Sequence, residues 1–438
     1  MSSLHSPWRV RDFRALFAAT ALSDLGTNIG YVAIPLIALE ALDASPGQVG
    51  ALAALGTVAF LLIGLPAGAW VDRMRRRRVL IVADLVRAAL IVSIPVAWWL
   101  DVLTLPQLYA VVLLNGCATV FFDVGSQSFL PQLVGRDALL PANSVMVSLM
   151  ATTNIAGRGA GGFLIQLVAA PAALVCTAVG YLASGLGLTR IRAHGGSATP
   201  AVPAAPAVPV APERRLRAEI GEGLRHVTHS RELRALALTA ACMNLGSQLV
   251  NTMIPVVIVR ELDLSEGTLG LYFAVGGLGI LAGARSARPL ARRLGIGRTF
   301  GLLGPCLAPA ALLIPLLDRG PWLWVAGVGW FLATAKVGTD NVLAVSLRQR
   351  LTPDALLGRM NATFRFVLTG ASAVGAVLAA LIGQFVGVHA SIWAGAVCMT
   401  IAFLPVFCSP IRKLRELPDP LPIQVVAVGK TGRATADS

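Results

Sequence analysis

Lysine is almost missing from this chain: Lys336, Lys413 and Lys430 are the only breaks in a basic complement otherwise made of arginine. Charge of either sign is scarce, at 13% of residues where soluble domains carry about 25%. Histidine occurs five times, never in the middle of a long apolar run. The six cysteines, Cys117, Cys176, Cys242, Cys306, Cys398 and Cys408, include no Cys-x-x-Cys pair. These absences exclude disulfide frameworks, His/Cys metal centres and His-dependent triads. The cysteines all fall inside apolar runs and read as small buried residues. Nucleotide motifs fail as well. Gly157, Gly159 and Gly162 satisfy G-x-G-x-x-G but follow no strand, and Gly429-Lys430-Thr431 has Gln424 where a phosphate loop needs its first glycine. No short apolar stretch with a small-residue cleavage site precedes the first long run, so no removable signal peptide is expected.

What the chain has is apolar length. Of its 438 residues 56% are hydrophobic, and mean hydropathy is +0.73. Apolar runs fall at roughly 13–40, 47–71, 79–100, 106–132, 143–169, 171–191, 235–258, 267–291, 299–318, 321–346, 362–387 and 389–410. Each is about the 20 residues a helix needs to cross hydrocarbon. They lack period-2 alternation, which makes them helices and not barrel strands. The expected fold is an all-α membrane protein of twelve transmembrane helices. Setting the N-terminus inside gathers almost all basic residues on the cytoplasmic side and leaves Arg260 and Arg319 on the other. That agreement with the positive-inside rule places both termini in the cytoplasm. It also accounts for the net charge of +14 by topology, so no nucleic-acid partner is expected.

Between the sixth and seventh runs the composition changes. Prolines at 200, 203, 206, 209 and 212 predict an extended linker. Leu216, Ile220, Leu224 and Val227 then share one face of a helix over 213–236, which lies either on the cytoplasmic leaflet or packed on the loops. The expected domains are an N-terminal six-helix bundle over 1–192, a linker with the amphipathic helix over 193–234, a C-terminal six-helix bundle over 235–412 and a tail over 413–438. Gly-x-x-x-Gly occurs at Gly64/Gly68, Gly157/Gly161, Gly279/Gly283 and Gly383/Gly387, in runs 2, 5, 8 and 11, with extra copies at Gly26/Gly30 and Gly297/Gly301. Small residues at that spacing mark helix seams, and a period of three helices suggests repeated three-helix units.

Five arginines crowd the joint between runs 2 and 3, in Gly68-Ala-Trp-Val-Asp72-Arg73-Met-Arg75-Arg76-Arg77-Arg78-Val-Leu80. The stretch resembles motif A of the major facilitator superfamily, with Gly68, Asp72, Arg73, Arg76, Arg77 and Leu80 in place and Arg75 where the family has glycine. A degenerate copy follows run 8 in Gly283, Arg292, Arg293, Gly295 and Arg298. Gly157 to Gly162 resembles the antiporter-associated motif C, with Arg158 where proline is usual. Ser346 to Asp354 with Gly358-Arg359-Met360 is similar to the signature of the macrolide-efflux and enterobactin-exporter branch. The resemblance implies two pseudo-symmetric six-helix bundles, a cavity lined mainly by spans 1, 4, 7 and 10, and alternating access driven by the proton gradient with no other cofactor.

Charges inside spans are rare, and when present they are functional or paired. Asp24, Asp123, Arg158, Lys336 and Asp340 lie well within runs. Asp24, Asp123 and Asp340 are the proton-coupling candidates. The alternatives are a fixed Asp123–Arg158 pair, an i, i+4 Lys336–Asp340 pair, and a hydrogen bond between Asp24 and Asn28. Asn244, Gln248 and Asn251 form a polar stripe on span 7, suited to an uncharged cargo or to helix-to-helix bonding. Asp84 and Arg87 are expected to join Gly68, Asp72, Arg73, Arg76 and Arg77 in a cytoplasmic gate. The functional expectation is a monomeric plasma-membrane exporter, not an enzyme, that moves a hydrophobic or amphiphilic antibiotic, drug or metabolite against protons. A siderophore exporter and a non-transporting receptor of the same fold are the alternatives.

Overall fold

Loops in this chain are short and their chemistry is local. In the computed structural model, α1 (Arg11–Glu40) ends at a turn carried by Asp43, whose φ of 46° is left-handed. Aspartate tolerates that conformation. Ser45 then opens α2 (Pro46–Arg73) with a capping box, its side chain accepting from Gln48 N while the Gln48 side chain accepts from Ser45 N. The same device recurs between α8 (Arg231–Pro255) and α9 (Glu266–Leu294). There Asp263 has φ 50° and Ser265 accepts from Thr268 N. The two loops share the pattern Leu-Asp-x-Ser-x-Gly, at Leu42–Gly47 and Leu262–Gly267.

The structure describes residues 6–134, 138–191, 212–353 and 356–414, and within them excludes the side chains of residues 65, 68, 69, 72, 140, 212–220 and 413. The linker, the tail after Leu414, the surroundings of Gly68 and Asp72, and the Leu216/Ile220 part of the amphipathic face therefore lie outside the described residues.

The chain is all-α. The remaining long elements are α3 (Arg76–Trp99), α4 (Leu105–Val134), α5 (Leu139–Val168), α6 (Ala170–Thr189), α7 (Pro212–His229), α10 (Ile296–Leu307), α11 (Pro321–Arg350), α12 (Leu357–Phe385) and α13 (Val388–Ile401). A π-helical segment Val256–Glu261 prolongs α8, and a 3-10 segment Ala308–Leu316 prolongs α10. Ten of the described helices, with these prolongations, are long and apolar enough to cross a membrane. Two more of 30 residues, α5 and α11, fall outside that set; the first carries Arg158 and the second Lys336 with Asp340.

Three local expectations are corrected. The amphipathic helix stops at His229, because Ser230 takes an extended backbone and caps α8, accepting from Leu233 N. Its face is also split: Val227 is buried beside Leu233, Met360 and Phe364, whereas Leu224 is 49% exposed. The helix packs on α12, where Glu222 pairs with Arg359. Finally, Cys176, Cys306 and Cys408 are exposed free thiols, not buried ones. In a membrane chain an apolar face turned to lipid needs no core.

Packing divides by chain half. Helix α1 packs on α5 and α6, α3 on α4 and α6, and α2 on α4; α8 packs on α12 and α13, and α9 on α11. Two seams join the halves, α2 with α12 and α5 with α9. Near the Asp43 and Asp263 loops a single hydrophobic core runs through both halves, from Leu36 and Leu52 to Ile254 and Tyr272. Arg260 reinforces that end, donating to Asp43, to Ala44 O at 2.7 Å and to Leu39 O at 3.4 Å. Gly47 N donates to Gln384 Oε1 at 3.1 Å beside it. At the arginine-block end the halves keep separate cores, one around Phe13, Leu80 and Phe129, the other around Leu233, Leu347 and Phe364. The halves share one apolar core at one end and keep two separate cores at the other.

The arginine block itself is a two-residue connection. Met74 and Arg75 have φ of −101° and −73°, extended backbone that any residue adopts. No glycine is needed, which explains Arg75. The equivalent loop after α9 turns on Gly295 at φ 83°, where glycine is required.

Candidate functional site

Arg87 organises the interior of the N-terminal half. It sits on α3 one turn after Asp84, and the two residues are 1% and 0% exposed. Arg87 Nη1 donates to Asp84 Oδ1 at 3.1 Å and to Ser23 Oγ at 2.8 Å, and Nη2 donates to Thr27 Oγ1 at 2.7 Å. Ser23 Oγ donates in turn to Asp84 Oδ1 at 3.2 Å. The face of the guanidinium lies 3.9 Å from the Tyr181 ring centroid, with Phe122 at 5.3 Å. A buried guanidinium persists when its charge and most of its donors are met, and here α1, α3 and α6 meet the charge and the two Nη groups, while Arg87 Nε and Asp84 Oδ2 have no hydrogen-bond partner among the described residues.

Two further acids stand within reach of this cation. Arg87, Asp84 and Asp123 all act electrostatically on Asp24, and Arg87 acts on Asp123 together with Arg365 of α12. Of the three carboxyls, Asp84 of α3 bonds the guanidinium directly, while Asp24 of α1 and Asp123 of α4 are linked to it through charge alone. The sequence groups Asp84 and Arg87 with a gate around Arg73. The structure gives them Ser23, Thr27 and Tyr181 as partners, and Arg73 is exposed.

Thr27 and Tyr181, whose oxygens are 3.2 Å apart, carry this network to the wall of a cavity of about 370 Å³. The wall is mostly apolar, with Tyr31, Phe60 and Ile91 among its members. Besides hydroxyls such as Thr27, Thr57, Thr177 and Tyr181, its polar groups are Asn115, Thr119 and Asp123 at i, i+4, i+8 along α4, and Gln248, Asn251 and Thr252 on α8. Asn115 Oδ1 and Asn251 Oδ1 are buried acceptors without a hydrogen-bond partner among the described residues. One comes from each half of the chain.

The cavity differs from the expected set of helices. Spans 1, 4 and 7 contribute, as α1, α4 and α8, but α2, α3 and α6 join them and no lining residue belongs to α11. Lys336 pairs with Asp340 at 2.5 Å along α11, away from the cavity, so the i, i+4 alternative is the one observed. Asn244 points elsewhere too, donating to Ala240 O at 2.8 Å and accepting from Ser372. Asn28 donates to the backbone carbonyl of Asp24 at 2.9 Å, not to its carboxyl. Arg158 bonds Asn28 Oδ1 at 3.2 Å and stacks 4.0 Å from Tyr31 and 5.8 Å from Phe273; Asp123 is not among these partners. Because Phe273 lies on α9, this aromatic clamp spans both halves.

Arg76 and Arg77 stitch helix ends together. Arg76 donates to Ser128 O at 3.0 Å near the end of α4, and Arg77 to Leu188 O at 3.0 Å and to Thr189 O at the end of α6. Cations there satisfy terminal carbonyls and the helix dipole. Sequence reading missed Ser23, Thr27, Asn115, Thr119, Phe60 and Arg365. The i, i+4 spacings of Ser23–Thr27 and Asn115–Thr119–Asp123 were available signals. Arg365 reads as a loop cation until α12 is seen to begin at Leu357, two turns earlier.

Long apolar helices in two halves around a mostly apolar cavity, with one core shared at one end and separate cores at the other, define a membrane carrier. The Major Facilitator Superfamily profile matches residues 16–339, and the chain belongs to that superfamily. It is 29% identical over 416 residues to the multidrug efflux pump Tap of Mycolicibacterium fortuitum, covering 92% of this chain and 96% of Tap. It is 25% identical over 419 residues to the enterobactin exporter EntS of Escherichia coli O1:K1, covering 93% and 94%. A solved bacterial homologue of the iron transporter ferroportin, in its inward-facing state, shares the fold with a TM-score of 0.70 at 17% identity, over 93% of this chain and 99% of that one. The protein is a multi-pass membrane protein and a secondary-active transporter of small molecules, not an enzyme.

Proposed function

We propose that the protein exports a hydrophobic or amphiphilic small molecule in exchange for protons, by alternating access between two six-helix bundles formed from twelve spans. Both termini and the arginine block then face the cytoplasm, and the end with separate cores is the one that opens inward. The observation that carries this reading is the cavity. Its apolar wall suits an apolar cargo, Asn115 and Asn251 offer acceptors to a hydrogen-bond donor, and its single lining carboxyl, Asp123, belongs to the acid-rich group around Arg87. An excess of acids over cations lets the interior take up or release a proton without stranding a lone charge in an apolar setting. Asp24 and Asp123 are assigned to coupling. Asp340, held by Lys336, is assigned to structure. Asp72 and Arg73 keep a gate role at the cytoplasmic end, with Gly68 at its helix contact.

Arg158 and Lys336 would favour an anionic siderophore if they faced the cavity. Neither lines it, and both are engaged by protein partners, which favours a hydrophobic or amphiphilic cargo over a multiply charged one. Inverted membrane vesicles test the coupling. Asp24→Asn and Asp123→Asn are each expected to lower gradient-driven dye uptake at least tenfold while leaving membrane insertion intact. Full uptake in both variants would overturn the assignment. A receptor that does not transport would show no gradient-driven uptake even as wild type.

A further inference from the structure

A second pocket, of about 280 Å³, opens at the seam between α2 and α12, toward the arginine-block end. Phe60 and Gly64 of α2, Val124 of α4, and Asn361, Arg365 and Phe366 of α12 are among its walls. Phe60 also lines the central cavity, so the two spaces share one aromatic wall, and Val124 is the neighbour of Asp123 in the chain. Arg365 lies over that wall, its guanidinium 4.5 Å from the Phe60 centroid. A guanidinium that packs on a ring by its flat face keeps the N–H donors at its edges available, and that fork matches the two oxygens of a carboxylate or phosphate. Asn361 adds an amide beside it. Phe366 is 53% exposed and gives the pocket an apolar lip. The volume falls below the roughly 300–1,000 Å³ of sites that enclose a drug-sized ligand. It fits a head group and the start of a stem.

We propose that this pocket is an access site for amphiphiles with a carboxylate or phosphate head, which Arg365 and Asn361 hold while the apolar stem lies between Phe366 and Phe60. The stem then needs only a turn of the Phe60 side chain to enter the central cavity. The proposal rests on the reading of that cavity as the cargo site. It differs from a purely internal role for Arg365, in which the guanidinium serves only as a counter-charge to Asp123.

Equilibrium binding separates these roles. Purified protein in phosphatidylcholine nanodiscs, without any gradient, is titrated with dansyl-labelled undecanoate and with its methyl ester. The carboxylate is expected to bind at least tenfold tighter. Arg365→Gln should abolish that preference and Arg365→Lys retain part of it, while Arg158→Gln, which removes a cation outside the pocket, leaves it unchanged. Thermal unfolding of each variant confirms the fold. Repeating the titration in phosphatidylglycerol nanodiscs distinguishes the source of the head group: an Arg365-dependent loss of probe affinity assigns the site to bilayer lipid, and an unchanged affinity assigns it to the free amphiphile. No carboxylate preference in the wild type, or the same preference in Arg365→Gln, overturns the proposal. Because no gradient is applied, that failure is distinct from a failure of proton coupling, which the vesicle assay reads.

Discussion

Arg87 joins Asp84, Ser23 and Thr27 in one buried knot, and the consequences of cutting it are specific. Arg87→Met leaves Asp84 buried with no counter-charge, a change that costs about 3–5 kcal/mol when a buried pair is broken from one side. Lower thermal stability in detergent is expected. Arg87→Lys recovers little of it, because an ammonium cannot reproduce the fork to Ser23, Asp84 and Thr27. Asp84→Asn combined with Arg87→Met recovers more. Unaltered unfolding of the Arg87→Met protein would contradict the account. At this scale the sequence was informative about which residues matter and poor about whom they meet. Asp24, Asp123, Arg158, Lys336 and Asp340 stand out because charge in an apolar run is costly, and Asp84 and Arg87 because they follow the arginine block. Their partners depend on how each helix is rotated about its axis, and that setting is decided by contacts between helices. Arg158 therefore meets Asn28 and two aromatic rings, where the sequence leaves a pairing with Asp123 open.

Helix seams follow small residues only in part. An added Cβ at Gly283 would sit 1.8 Å from Ala335 O of α11, and one at Gly279 would sit 2.2 Å from Thr334 Oγ1, so the motif in α9 is a true seam. Gly161 approaches Ile29 of α1, and Gly162 approaches Gly270 of α9, so α5 is sealed on two sides. By contrast a Cβ at Gly387 or Gly301 meets nothing within 4 Å. Gly283→Val is accordingly expected to separate α9 from α11 and to abolish a monodisperse peak in size-exclusion chromatography. Gly301→Ala, inside α10, should leave that peak intact and raise stability by up to about 1 kcal/mol through helix propensity. Equal behaviour of the two variants would show that close approach is not the cause. The Gly-x-x-x-Gly spacing alone could not sort these cases, since it is the same at the tight and the open sites. The pattern Leu-Asp-x-Ser-x-Gly was the better repeat signal, because both copies specify one turn and one cap.

For the whole molecule, the decisive fact is the asymmetry of its two ends. Hydropathy reveals the helices, and loop charge suggests their direction, but neither encodes which end is joined. Arg260 is the polar part of the joined end, tied to Asp43, Leu39 and Ala44 across the halves. Arg260→Gln is expected to loosen it. Spin labels at Asp101→Cys and Asp318→Cys, in a background without the six native cysteines, should then show an added longer-distance population. An unchanged distribution would assign closure to the apolar core alone. The separate cores at the other end have a further consequence. On the alternating-access proposal, that end is the one that takes up and sheds water as the states exchange, whereas the single core opposite stays dry. A polymer too large to enter it, added on the arginine-block side alone, is then expected to shift the balance of states toward closure of that end.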